Sequence, residues 1–327
     1  MGFKAADADP CVYTRREGDE ECIVCLYVDD MLIASREEAV ITSVKAGIAE
    51  KFKIKDLGQA RYILGIEIDY DMENKMLRIS QQAYTKSIIK KFGQENAKPS
   101  LIPIDPSVHL TKADEAQTSD AKAKMKSRPY RSLVGSLMYL ACGIRPDISA
   151  AVAKLSRFLE SPGEKHWDAG IKVVRYLLKT KDVGITYDGQ LGTQLVAYSD
   201  TDWAGNCDDR RSVSGVMLLL CGDPVVWRST FQKTVALSST EAEYMALSDC
   251  VKACVWMRLL LKDTGASKLV QRLSTKTIKA QWRWLRILAT KLVPSKLTFA
   301  ITSHAKRLQV VTLLWSTWRP RTNSLTT

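Results

Sequence analysis

Residues 21–35 read Glu-Cys-Ile-Val-Cys-Leu-Tyr-Val-Asp-Asp-Met-Leu-Ile-Ala-Ser. An apolar run, two adjacent aspartates and a second apolar run spell a β-hairpin with Asp29 and Asp30 at its tip. Neighbouring carboxylates repel, and a bound divalent cation relieves that repulsion. Phosphoryl transfer uses two such ions roughly 3.5–4 Å apart, clamping the attacking and leaving oxygens. A solvated turn is the competing reading, and on the Asp-Asp dipeptide alone it is the better one. The flanking apolar strands and the Tyr-x-Asp-Asp context reverse that order.

Working outward, Ser35 can cap a helix whose apolar residues Val40, Ile41, Val44 and Ile48 recur at helical spacing. Tyr62 to Asp69 and Met76 to Ile79 predict a second hairpin around Asp71-Met72-Glu73-Asn74. Ser80 then opens a helix with Tyr84, Ile88, Ile89 and Phe92 on one face, ended by Gly93. Asn96 to Ser127 is polar and aperiodic and reads as an extended connection. From Tyr130 the pattern is helical, through Leu133, Leu137 and Leu140 to Ile171, Val174 and Leu177. Three strand-like stretches follow, 194–199, 213–221 and 224–227, and then a long helix from Glu241 to about Lys262.

Tyr27-Val28-Asp29-Asp30 between two strands resembles the palm of reverse transcriptases. The text GFKAADADPCVY (2–13), LGQARYILGIEI (57–68), YRSLVGSLMYLACGIRPDISAAV (130–152) and HWDAGIKVVRYLLKT (166–180) is similar to the copia-type retrotransposon branch in particular. The resemblance runs from residue 1 to about 270. It implies an α+β chain: the end of a reverse-transcriptase palm and a thumb-like part over 1–95, a helical connection over 96–188, and an incomplete ribonuclease H-like mixed β-sheet with a flanking helix over 189–270. Asp29 would then bind catalytic Mg²⁺ with Asp30 beside it. The family's third palm carboxylate and its fingers belong upstream of Met1, so polymerisation by this chain is not expected.

Tyr198-Ser199-Asp200-Thr201-Asp202-Trp203 and Ser238-Ser239-Thr240-Glu241-Ala242-Glu243-Tyr244 look like the first two acidic motifs of a ribonuclease H. The resemblance makes Asp200 and Glu243 metal ligands, with Asp202 a neighbour fixing the strand end. From the helix alone, Glu243 reads as the glutamate of a Thr240-x-x-Glu243 capping box at a helix N-terminus. Its pairing with Asp200 favours metal binding. Arg210 and Arg211, in the loop Asp208-Asp209-Arg210-Arg211-Ser212, could touch a phosphate backbone or lie in a solvated turn, and the two readings weigh equally. Trp227 and Trp256 read as packing residues. Family partners would be an RNA–DNA hybrid or a template–primer, with no membrane and no small-molecule cofactor.

The net charge of +12 invites a nucleic-acid reading, but residues 271–327 hold eleven Lys and Arg and no acid, leaving +1 for 1–270. The ribonuclease H family carries further acids after the long helix, usually within Asp-Asn-Gln. This chain has none beyond Asp263. If triplets start at the third base of each codon, the Lys276–Thr277 junction permits Asp, followed by Asn and Gln. Residues 296–306 permit a second family-like stretch in the same frame. The expectation is a frameshift between Val270 and Gln271, with a tail never selected to fold, and a retroelement fragment inactive by itself. Two alternatives are a working Mg²⁺-dependent ribonuclease H, and a non-enzymatic module gripping phosphates through its basic tail.

The eight cysteines read as reduced, mostly buried thiols, because three histidines at unsuitable spacing make a zinc site a poor fit. No apolar run reaches membrane-spanning length and the first residues carry no signal-peptide stretch, which predicts a soluble intracellular chain.

Overall fold

In the computed structural model of the chain, residues 1–18, 20–190, 195–266 and 273–275 are described. The expectation of an out-of-frame tail over 271–327 therefore falls, except for 273–275, outside the described residues. Residues 1–274 form one compact unit, and 275–327 a second of which only Thr275 is described.

Alternation of apolar residues builds the first sheet, in the order β1 (Lys4–Ala5), β2 (Val12–Glu17), β3 (Glu20–Tyr27), β4 (Asp30–Ser35). Every second residue of a strand faces the same side, so Cys22 and Val24 of β3 are buried together. They meet Val40 and Val44 of helix α1 (Glu38–Ala49). Ser35 does not cap α1 as expected; Glu37 is the N-cap residue. The Ser35 hydroxyl instead donates to Glu21 O at 2.8 Å, closing the open end of the β3–β4 hairpin.

The second sheet has the order β5 (Tyr62–Ile63), β6 (Ile66–Asp71), β7 (Met76–Ser80), β8 (Ile185–Asp188). Its β6–β7 turn is the expected one, with Asn74 donating through Nδ2 to Asp71 at 2.6 Å. β8 was not foreseen. It pairs antiparallel with β7 from Met76↔Asp188 to Ile79↔Ile185, far across the sequence.

Between β7 and β8 lies the largest core. Helices α2 (Gln82–Lys91), α3 (Ser119–Lys126), α4 (Tyr130–Gly143), α5 (Pro146–Ser156) and α6 (Glu164–Lys179) follow in sequence. The short α3 falls where an extended connection was expected; Thr118 caps it by accepting from Ala121 N at 3.2 Å. Leu133, Leu137, Leu155 and Leu177 are completely buried, and burying each such side chain contributes about 1.5–3 kcal/mol. At the α4–α5 corner, Arg145 is 1% exposed. It forks onto Asp147 at 2.9 and 2.7 Å and reaches Thr180 on α6's C-terminal end.

The third sheet runs β11 (Asp223–Phe231), β10 (Val213–Leu220), β9 (Leu195–Asp202), β12 (Leu273–Thr275), covered by the 25-residue helix α7 (Ser239–Asp263). Ala242, Ala246, Cys250, Ala253, Met257 and Leu261 form α7's buried stripe at helical spacing. Side-chain bonds tie this sheet and helix to the rest of the unit. The Trp227 indole donates to Ala141 O at 2.6 Å, Tyr187 donates to Pro224 O at 2.8 Å, and Arg157 pairs with Asp208 at 2.7 Å. Trp256 donates to Ala8 O at 3.1 Å while Ala8 N donates to Asp263 at 3.0 Å, which holds both peptide groups of Ala8 in the β1–β2 loop. Mixed helices and antiparallel sheets make this an α+β chain. Among the described residues no helix is long and apolar enough to cross a membrane.

Candidate active-site carboxylates

Asp29 and Asp30 stand at the hairpin tip as the sequence predicts. Tyr27 pairs with Asp30, so Val28 and Asp29 form a two-residue turn. Such a turn demands a positive φ, usually met by Gly or Asn. Here Val28 supplies it at φ 51°. That conformation costs an L-residue about 1–2 kcal/mol, and Val28 is 89% exposed, so packing repays none of it. Both aspartates are exposed.

Asp200 and Asp202 end β9. Leu195, Ala197 and Ser199 are buried while Asp200 and Asp202 are exposed. Leu195 and Ala197 pack with α7, so the strand's period of two puts both aspartates on the opposite face. Asp200 lies opposite Gly215 in β10, a residue without a side chain. The chain then turns tightly over Asp202: a Cβ at Gly205 would sit 1.9 Å from its carboxylate oxygen.

Glu243 lies half-buried on α7, in the turns that follow the helix start. Ser238 is the N-cap residue, its hydroxyl accepting from Glu241 N at 3.1 Å. Glu241 reaches back and accepts from Leu237 N at 2.7 Å. The capping pair at the helix start is therefore Ser238 and Glu241, two residues ahead of the Thr240-x-x-Glu243 spacing. Two Ser/Thr-x-x-Glu spacings overlap here. Helix propagation adds one backbone bond per residue, so the helix runs back to the earlier cap and gains Ala242 N to Ser238 O at 3.1 Å. We expect Ser238→Ala to lower stability by about 1 kcal/mol. Thr240→Ala should stay within about 0.5 kcal/mol. Urea midpoints measure both, and an equal loss at Thr240 would return the cap to that residue.

The 204–212 loop is a folded element rather than a plain solvated turn. Asp208 accepts from Lys112 N at 3.0 Å as well as from Arg157. Asp209 accepts from Arg211 N at 3.0 Å and lies 3.5 Å from that guanidinium. Arg210 is exposed, with φ 59°, and Ser212 is fully buried, accepting from Ala204 N. Trp227 and Trp256 hold neighbouring backbone through their indole N–H groups, in keeping with a packing role. Burial pushes the Cys22 and Cys25 thiols up, and the bond to Cys250 together with burial pushes Cys254 up. These are protonated thiols, not poised nucleophiles.

Among the described residues no three His, Cys, Asp or Glu side chains converge into a set that could hold a metal ion. Asp29 with Asp30 is at most a pair. Asp200 and Glu243 flank two residues, Thr201 and Ala242, that the Gln232 amide ties together at 3.4 and 2.8 Å. Sequence reasoning missed Gln232, the first of three polar residues (Gln232, Lys233, Thr234) after β11 with no periodic signal, and it missed Arg145. For Arg145 the neighbouring Pro146, at the first position of α5, was the available clue.

Residues 1–106 match the family described as reverse transcriptase (RNA-dependent DNA polymerase). The chain is 39% identical over 259 residues to the retrovirus-related Pol polyprotein from transposon TNT 1-94 of Nicotiana tabacum, covering 79% of this chain and 19% of that one. It is 34% identical over 265 residues to the Pol polyprotein from transposon RE2 of Arabidopsis thaliana, covering 81% of this chain and 18% of that one. A shorter uncharacterized mitochondrial protein of Arabidopsis thaliana is 32% identical over 231 residues, covering 71% of this chain and 92% of that protein. The chain thus spans about a fifth of the Pol polyproteins it matches. No solved structure matches.

Proposed function

This chain belongs to the Pol family of copia-type retrotransposons, and from that premise we propose that it is a catalytically inactive fragment of the family's RNA-directed DNA polymerase and ribonuclease H. Reverse transcriptases act on RNA and DNA templates and use divalent metal ions. In the intact polyprotein, Asp29 and Asp30 would serve a polymerase centre using Mg²⁺. Asp200 and Glu243, with Asp202 beside them, would serve the centre that cuts the RNA of hybrids. Arg210 would lie toward a phosphate backbone, with Arg211 held back by Asp209.

The observation that carries this reading is the incomplete donor set: among the described residues no three acids converge, and Asp200 lies on the sheet face away from α7, which carries Glu243. The strand order β11-β10-β9-β12 with α7 against it supports the ribonuclease H part. The second reading is a working ribonuclease H that uses Asp200 and Glu243. The test is the purified chain with Mg²⁺, given an RNA–DNA hybrid and, separately, a primed RNA template. No cleavage and no extension are expected. Hybrid cleavage that disappears in Asp200→Asn would overturn inactivity and install the second reading. Salt-sensitive hybrid binding that vanishes on deletion of 271–327 would assign function to the basic tail instead.

A further inference from the structure

We infer that Gln232 is a positioning residue that sets the first turns of α7 against the acidic end of β9. It follows β11 and is 5% exposed. Its backbone N donates to Ser212 O at 2.9 Å, which holds the residue at the base of the 204–212 loop. Its Nε2 faces three acceptors on three elements: Ala242 O of α7 at 2.8 Å, Ser214 Oγ of β10 at 3.0 Å and Thr201 Oγ1 of β9 at 3.4 Å. The amide orientation follows from chemistry. Ala242 O can only accept, so placing Oε1 there would oppose two acceptors. Thr201 spends its own proton on Val213 O at 3.0 Å and is left as an acceptor.

Ala242 directly precedes Glu243, and Thr201 separates Asp200 from Asp202. One buried amide therefore links the backbone turn that carries the glutamate to the strand end that carries the aspartates. Ala242, Ala246, Ser212 and Ser214 around this point are buried and small. They fill space but impose no angular register, whereas a hydrogen bond to one named carbonyl does. The use of this register as spacing between catalytic carboxylates rests on the proposed function; the clasp itself does not.

The test is amide hydrogen exchange on the full chain, comparing the native protein with Gln232→Leu and Gln232→Glu. Losing the donor removes the bond that Ala242 O makes outside its own helix, so Gln232→Leu should speed exchange in the first turns of α7 and near Thr201 by roughly 3- to 10-fold. Amides of α4 and α6 should keep their protection. Glutamate matches glutamine in shape, and its protonated form can donate to Ala242 O, while its carboxylate cannot. Burial, and the acids at 200, 202, 241 and 243 on the neighbouring elements, favour the protonated form. Gln232→Glu should therefore show native protection in acid and the leucine variant's rates near neutrality, after correction for intrinsic exchange. Unchanged α7 exchange in Gln232→Leu, or acceleration spread evenly over all helices, would overturn the inference. Should the leucine variant fail to fold, the pH-dependent protection of the glutamate variant decides alone. Hybrid cleavage plays no part in this readout, so the clasp can stand or fall apart from the enzymatic reading.

Discussion

Under the proposed frameshift, restoring the frame by one base after Val270 is expected to raise cleavage of an RNA–DNA hybrid by on the order of 10³-fold or more over the present protein. A metal centre stabilises developing charge by several kcal/mol, and about 4 kcal/mol corresponds to roughly 10³ in rate. The present chain has Asp200 and Glu243 on adjoining elements but no acid after Asp263. In the shifted frame the Lys276–Thr277 junction can supply the missing aspartate. The gain should be lost again on adding Asp200→Asn. A frame-shifted protein that keeps its helical circular dichroism yet cleaves nothing would sink both the frame hypothesis and the pairing of Asp200 with Glu243.

The largest stability effect is expected at Arg145. Its guanidinium makes four hydrogen bonds, two to Asp147, one to Thr180 O and one to Thr180 Oγ1. Tyr176 completes the cluster by donating to Asp147 at 2.9 Å. Arg145 is buried while Asp147 is exposed to water, so losing the guanidinium chiefly leaves the Thr180 acceptors without their donor, at a cost of about 1–3 kcal/mol. Arg145→Met keeps much of the volume and removes the donors, so the loss should be mainly electrostatic. For a domain of this size it should lower Tm by about 5 °C.

Asp147 gives the same cluster a pH dependence. Burial pushes its carboxyl up, but the Arg145 bonds and charge, helped by the Tyr176 hydroxyl, outweigh burial and hold it below the usual carboxylate range. A depressed pKa contributes stability that is present above the unfolded value, about 3.9, and is lost as pH falls through the folded one. The gap between native protein and Arg145→Met should therefore narrow in strong acid. A loss under 1 kcal/mol at neutral pH would mean that water reaches the site and replaces the guanidinium.

Much of this architecture was legible in the residues themselves. The β3–β4 hairpin, the Asp71–Asn74 turn, the helices from Tyr130 onward and the length of α7 all follow from local periodicity and turn chemistry. These signals lie within a few residues of one another, so the chain needs no distant partner to express them. Asp29 and Asp30 were placed at their turn, and Asp200 at its strand end, for the same reason. Tertiary structure decided what depends on distant partners. β8 has too few residues to declare itself and exists as a strand because β7 offers it an edge. Which of two overlapping caps starts α7 was settled by helix propagation to the earlier one. Sequence period alone could not place Asp200 and Asp202 on the sheet face away from α7, because a period of two names two faces without saying which one the helix covers. The roles of Arg145 and Gln232 were least visible. A polar side chain becomes structural only when burial removes water, and burial belongs to the packed chain rather than to any stretch of its sequence.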